Sequence, residues 1–275
     1  MTTTAIMTTV TTPDISLSLR YVSYACHNRV AYITLNRPEK RNALNDEMVT
    51  ELKIAFDHAE DDEQCKVVVL KAAGPVFCSG ADLEYLQQLQ DNTFQENLED
   101  STHLMQLFYQ IYTLKKVVIA QISGHAIAGG CGLATVCDFS FSAPEAKFGY
   151  TDVKIGFLPA IVKVFLLRRI GEMHAKELLL TGDLISAERA KNIGLINGVV
   201  PAEELEEKVT ELAQRLCLQN SAQAMEMTKE MIAHVQELSL EDALKYAAER
   251  NALARNSEDY QRGIQAFLEK EPLVW

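Results

Sequence analysis

A lone carboxylate and two corners of small residues are the parts of this sequence that could do chemistry. The carboxylate is Asp152, in FGYTDVKIGFLP, just before an apolar stretch. Such a setting can raise a carboxyl pKa, as a proton shuttle needs. The same residue could also be no more than a turn or helix-cap aspartate. The corners are Ser79-Gly80-Ala81, in FCSGADLEYL, and Gly129-Gly130, in ISGHAIAGGCGLATVCD. At each, an apolar strand runs into small residues and then into a helix. The first N–H groups of a helix have no internal partner, and its dipole makes that end electropositive. Glycine lets backbone approach a ligand closely. Each corner could therefore hold an oxyanion, or could simply pack a strand tightly on a helix. No G-x-S-x-G pattern surrounds Ser79, which weakens a serine-nucleophile reading.

These groups need strands and helices to hold them. Alternation at Ile15–Cys26 and again at Val30–Asn36 predicts a hairpin turning at His27-Asn28. A helix capped by Asn45 or Asp46 should run to about Ala59. Val67–Ala72 reads as a strand buried on both faces. Asp82 is a plausible N-cap for a helix starting near Leu83. Asp91–Asp100 is polar and reads as a mobile surface segment, followed by a helix from about Ser101 to Thr113. Val117–Ile122 and Asp138–Ser142 are further strands. Helices dominate from Pro159 onward. They include a run ending at Arg168-Arg169-Ile170-Gly171, the segment Glu172–Leu180, a short helix opened by Ser186, amphipathic stretches at Ala202–Gln219 and Ser221–Ala254, and a last helix at Glu258–Lys270.

The totals exclude some functions. A net charge of −12 opposes binding to nucleic acid or anionic membranes, both of which need basic surface. No run of eighteen apolar residues appears, so no membrane span is expected. The six cysteines form no CxxC pair and no zinc spacing with histidine. They read as small hydrophobes of a reduced, cytoplasmic protein, with no metal expected. The Thr-rich residues 1–14 read as a frayed tail.

The chain resembles the enoyl-CoA hydratase/isomerase family, the crotonases. The resemblance rests on NRPEKRNALN at Asn36–Asn45, FCSGADL at Phe77–Leu83, SGHAIAGGCGLATVCDF at Ser123–Phe139, FGYTDVKIGFLP at Phe148–Pro159 and TGDLISAERAKNIGLINGVVP at Thr181–Pro201, in that order. It implies an α/β fold, a spiral of ββα turns over residues 15–200. A helical region, 201–275, would serve oligomerisation and cover the active site. It implies an acyl-CoA substrate with no separate cofactor, and a homotrimer or homohexamer. The Ser79 and Gly129 backbone N–H groups would bind the thioester oxygen. Arg37, Lys40, Arg41 and Ala43 would meet the CoA, as would Ala81, Asp82 and Leu83. Gly130 and Gly132 would border the acyl group. Phe267 and Lys270 could reach a CoA in the same or a neighbouring subunit.

The acids depart from the family pattern. Hydratases of the family carry two glutamates facing one water. Here the first position is Gly132, and the second is the shorter Asp152. One acid suits proton transfer between α and γ carbons, which is Δ3,Δ2-enoyl-CoA isomerase chemistry. Yet Ala160-Ile161-Val162 is similar to bacterial methylglutaconyl-CoA hydratases of leucine breakdown, whose substrate brings its own carboxylate. Lys163 or the Arg168-Arg169 pair could answer that carboxylate. Hydration of an enoyl-CoA, with methylglutaconyl-CoA foremost, is the reading adopted; isomerisation and acyl-CoA binding without turnover are the alternatives. Asp138 reads as structural, and His125 as a core histidine satisfied by backbone. His103, Tyr85 and Tyr150 are candidates for the acyl pocket.

Overall fold

The computed structural model describes residues 16–275; the tail assigned to residues 1–14 lies outside them. The strands are β1 Ser16–Ser18, β2 Val22–His27, β3 Val30–Leu35, β4 Val67–Ala72, β5 Val76–Cys78, β6 Val117–Ile122, β7 His125–Ile127, β8 Phe139–Ser142, β9 Lys147–Gly149, β10 Ile185–Ser186 and β11 Gly198–Val199. The α-helices are α1 Asp46–Asp61, α2 Leu83–Gln88, α3 Phe94–Thr113, α4 Gly129–Val136, α5 Ala160–Thr181, α6 Ala187–Asn192, α7 Leu205–Gln219, α8 Ala222–Val235, α9 Leu240–Ala254 and α10 Glu258–Glu269.

Strand β4 shows how the core is built. Successive strand side chains point to opposite faces. Val68 and Leu70 join the larger apolar cluster, with Leu52 and Phe56 of α1 and Phe108 of α3. Val67 and Val69 enter a second cluster, with Val209 and Leu212 of α7. Both faces are covered, so the strand reads as an unbroken apolar run. Burying each valine contributes about 1.5–3 kcal/mol.

The strands form two sheets. The larger runs β1-β2-β3-β4-β6-β8-β11, and the smaller β10-β9-β7-β5. In the larger sheet β1, β2 and β3 pair antiparallel and the remaining neighbours pair parallel. Each turn of the chain gives one strand to each sheet and then a helix: β4, β5, α2; β6, β7, α4; β8, β9, α5. This is the ββα spiral. Leu44 makes the corresponding contact in the first turn, as a parallel bridge to Ala81. The smaller sheet thus stacks the ends of successive turns, and the helix N-termini that follow open beside one another.

Several elements differ from the sequence expectation. The strand expected at Ile15–Cys26 is, over the described residues from Ser16, two paired strands broken at Leu19–Tyr21. The hairpin turn falls at Asn28 and Arg29, both with positive φ. The supposedly mobile 91–100 segment contains the start of α3, fixed by a reciprocal capping box between Thr93 and Glu96. Helix α5 breaks at Gly171 (φ 73°, ψ 169°), where the sequence placed a stop. Ser221–Ala254 is two helices, with Ser239 capping the second. All six cysteines are free and buried. Among the described residues, no helix is long and apolar enough to cross a membrane.

Candidate active site

The two small-residue corners meet. An added Cβ on Gly80 (φ +89°) would lie 2.7 Å from Ala128 Cβ, 3.1 Å from the Ile127 carbonyl oxygen and 3.3 Å from Gly129 N. A Cβ on Gly130 would come within 2.2 Å of the Cys78 carbonyl oxygen. Only glycine permits this approach at either place. Gly130 is therefore buried packing against Cys78, and the expected place beside the acyl group is corrected to a packing role, since Gly130 is not among the residues that line the cavity described below. Ala128 itself sits at φ 49°, ψ −118°. That is a costly conformation for a residue with a Cβ.

One donor moves. The Ser79 N–H donates to the Arg41 carbonyl at 3.1 Å, and the Asp82 N–H to the Leu44 carbonyl at 2.8 Å. The expectation that Ser79 offers a free backbone donor is thus corrected, because internal pairing satisfies that group. Ala81 lies between the two engaged residues. Ala81 and Gly129 both line a cavity of about 600 Å³.

Asp152 lines the same cavity. It stands in a 3-10 turn, Thr151–Ile155, which Gly156 closes in the left-handed conformation. Its backbone carbonyl accepts from the Phe157 N–H at 3.0 Å. The side chain is otherwise: Oδ2 is buried and has no hydrogen-bond partner within the protein. Burial pushes its carboxyl above the ordinary aspartate value. A buried carboxyl oxygen without a partner is costly to ionise and free to exchange a proton with whatever occupies the cavity. The wall beyond it is apolar, with Phe157, Leu158, Pro159, Ile161 and Val162.

Gly132 does not reach the cavity. It is buried in α4, and an added Cβ would meet Val162 Cγ1 at 2.4 Å and the Phe108 ring at 3.0 Å. The expected border contact is corrected to a packing role. Val162 and Phe108 fill the space that a side chain at 132 would need, and nothing in the sequence signalled this.

Other candidates sort by their partners. The Arg37 guanidinium donates to Asp82 Oδ2 at 2.7 Å and to the Ala43 carbonyl at 3.3 Å, and stacks on the Tyr21 ring. It is buried, so its assignment to a CoA phosphate is corrected to a structural tie. Asp82 also caps α2 through the Glu84 N–H. Lys40 pairs with Glu84 at the surface. Arg41 is exposed, Ala43 is buried, and Leu83 is 70% exposed at the start of α2. Phe267 is 81% exposed, and neither it nor the α10 cap Lys270 lines the cavity within one chain.

Asp138 is structural, accepting from the Val118 N–H and from Lys229 Nζ, each at 2.7 Å. His125 is exposed rather than in the core, although its Nδ1 does accept from a backbone group, the Lys147 N–H. Tyr85 and His103 line the cavity. Tyr150 is fully buried and bonds Thr135 instead. Arg168 and Arg169 border a separate cavity of about 750 Å³ beneath α8, so they cannot meet an acyl group beside Asp152.

A ββα spiral with a buried carboxyl and paired backbone corners on one cavity defines a crotonase-type fold. Residues 25–275 match the enoyl-CoA hydratase/isomerase family model, and the chain belongs to that family. A Thermus thermophilus protein named as an enoyl-CoA hydratase is 42% identical over 88% of this chain and 96% of its own. The crotonyl-CoA hydratase of Syntrophomonas wolfei is 34% identical over 88% of this chain and 92% of its own. The crystal structure of an enoyl-CoA hydratase from Shewanella pealeana superposes with a TM-score of 0.89 at 29% identity, covering 94% of this chain and 96% of that one. The chain is thus an enzyme of the enoyl-CoA hydratase/isomerase family, a lyase by its relatives.

Proposed function

We propose that the protein adds water to an enoyl-CoA thioester, using the backbone N–H groups of Ala81 and Gly129 for the thioester oxygen and Asp152 as the one acid. The observation that carries this is the unpartnered Asp152 Oδ2 on the cavity that both corners line. Water attack at the β-carbon sends electrons to the thioester oxygen, and the two N–H groups stabilise the resulting charge. Losing one such donor costs roughly 3–4 kcal/mol of barrier. Asp152 takes a proton from the attacking water and gives one to the α-carbon, so its protonation state is restored each cycle.

For the acyl group, the likeness at Ala160–Val162 favours methylglutaconyl-CoA. Among the described residues lining the cavity, His103 is the one basic side chain, and its ring nitrogens face Thr50 and Lys53. Lys40 and Arg41 stay proposed as CoA contacts. So do Phe267 and Lys270, exposed on α10, toward a neighbouring subunit of a trimer or hexamer. A second reading, double-bond migration, is favoured by one observation: no side chain can stand at 132 to share the proton transfers.

The test offers crotonyl-CoA, 3-methylglutaconyl-CoA and a 3-enoyl-CoA in deuterated water and follows product mass. Water addition, abolished in Asp152→Ala, is expected, fastest with 3-methylglutaconyl-CoA. Migration without added water would replace hydration by isomerisation. Binding without any turnover would overturn the enzymatic reading.

A further inference from the structure

The cavity beneath α8, about 750 Å³, shares none of its lining with the cavity that holds Asp152. Its volume suits a small organic ligand. Val136, Phe165 and Leu216, all buried, give it an apolar floor. Thr228 and Ile232, one turn apart on α8, form the outer wall, and Ile232 is left 55% exposed.

Three cations and one side-chain carboxylate line this cavity, against the chain's overall charge of −12. Lys229 and Asp138 pair with each other at 2.7 Å and cancel. Arg168 is reached only by Glu237, at 3.9 Å. Among the described residues no carboxylate pairs with Arg169. Its guanidinium donates to the Cys137 carbonyl at 3.1 Å and to Asn197 Oδ1 at 3.2 Å, both neutral. Burial disfavours its charge and pushes its pKa below the ordinary arginine value. A half-buried guanidinium without a counter-ion, over an apolar floor, is an arrangement that a carboxylate with an apolar body completes.

We propose that this cavity is a second ligand site, which takes a medium-chain fatty acid with its carboxylate on Arg169 and its alkyl chain between Phe165 and Ile232. Arg168, at the exposed edge, adds charge on entry. The site is independent of the reaction at Asp152, and binding alone decides it.

Trp275, the chain's one tryptophan, lines the cavity and reports on it. The full chain is titrated with decanoate, below its micelle concentration, and with decanol, and Trp275 fluorescence and Tm are followed. Decanoate should bind saturably and raise Tm. Decanol should bind at least ~10-fold more weakly, the loss of one charge-assisted contact. Arg169→Met should bring the two ligands within about threefold of each other. Because Arg169 also ties Cys137 and Asn197, Thr228→Phe is the second variant: it fills the cavity from an exposed helix position and should abolish decanoate binding with helix content unchanged. Equal affinity for decanoate and decanol in wild type overturns the charged recognition. Decanoate binding that survives Thr228→Phe places the ligand elsewhere and overturns the site. No saturable response in wild type overturns it too, and is the result expected if a second copy of the chain fills the cleft.

Discussion

Arg37 and Asp82 form a buried ion pair, 2.7 Å apart with both side chains less than a tenth exposed. It joins the loop after β3 to the N-terminus of α2, next to the corner that carries Ala81. Burial alone would push the Asp82 carboxyl up. The Arg37 guanidinium and the Glu84 and Tyr85 N–H groups hold it below the ordinary aspartate value. Removing one partner would strand the other charge. Arg37→Met should therefore cost about 3–5 kcal/mol of stability, read from urea unfolding. A phosphate ligand would behave differently, with KM raised and the unfolding midpoint unchanged.

Asp152 should trade stability for activity, and the trade has a pH signature. Its folded pKa is raised by burial. Between the ordinary carboxylate range, near ~4, and the raised value, the folded state holds more protons than the unfolded. Stability therefore falls as pH rises through that window. Asp152→Asn removes the charge. It should raise Tm at pH 7.5 and leave it unchanged near pH 3.5, while turnover drops by about 10²–10⁴-fold. Thermal melts at the two pH values, beside initial rates, check both parts. A Tm gain of equal size at both would show that charge is not its source.

Gly80→Ala should uncouple activity from folding. The new methyl group would press on Ala128 Cβ at 2.7 Å, in a backbone conformation that already disfavours it. The two corners must then separate, and Ala81 and Gly129 can no longer share one oxygen. Turnover should fall by about 10²–10³-fold, the effect of losing one such donor. Circular dichroism should still report the native helix content. Full activity in the variant would remove the paired corners from the mechanism.

The sequence announced these corners and the acid but not their pairing. Strand β4, the Asn45, Asp82 and Ser186 caps and the break at Gly171 were legible, because each depends on neighbours within a few residues. The capping box at Thr93–Glu96 was equally local and was passed over for the polarity around it. What could not be read was long-range. Ser79 and Ala81 differ only in whether the Arg41 carbonyl reaches the N–H. Arg37 looks like a phosphate ligand until Asp82, 45 residues on, is seen beside it. Gly132 looks like an empty acid position until Val162 is found over it.

Ala128 shows the same long-range control in its backbone. Its φ of 49° and ψ of −118° lie outside the regions open to a residue with a Cβ, at a cost of order 1–3 kcal/mol. The conformation is imposed from both sides. The Ala128 N–H donates to the Gly149 carbonyl at 2.8 Å, and its carbonyl accepts from the Gly132 N–H at 3.0 Å. Glycine could adopt the same angles without strain, but it returns roughly 0.5–1 kcal/mol through the freer unfolded chain. Ala128→Gly should thus gain about 1 kcal/mol, a Tm rise of roughly 2–4 °C. Because both hydrogen bonds persist, the Gly129 N–H should keep its aim and kcat should stay within about twofold of wild type. A rise in Tm with a large loss of kcat would mean that the alanine methyl, packed against Gly80, sets the spacing of the two corners.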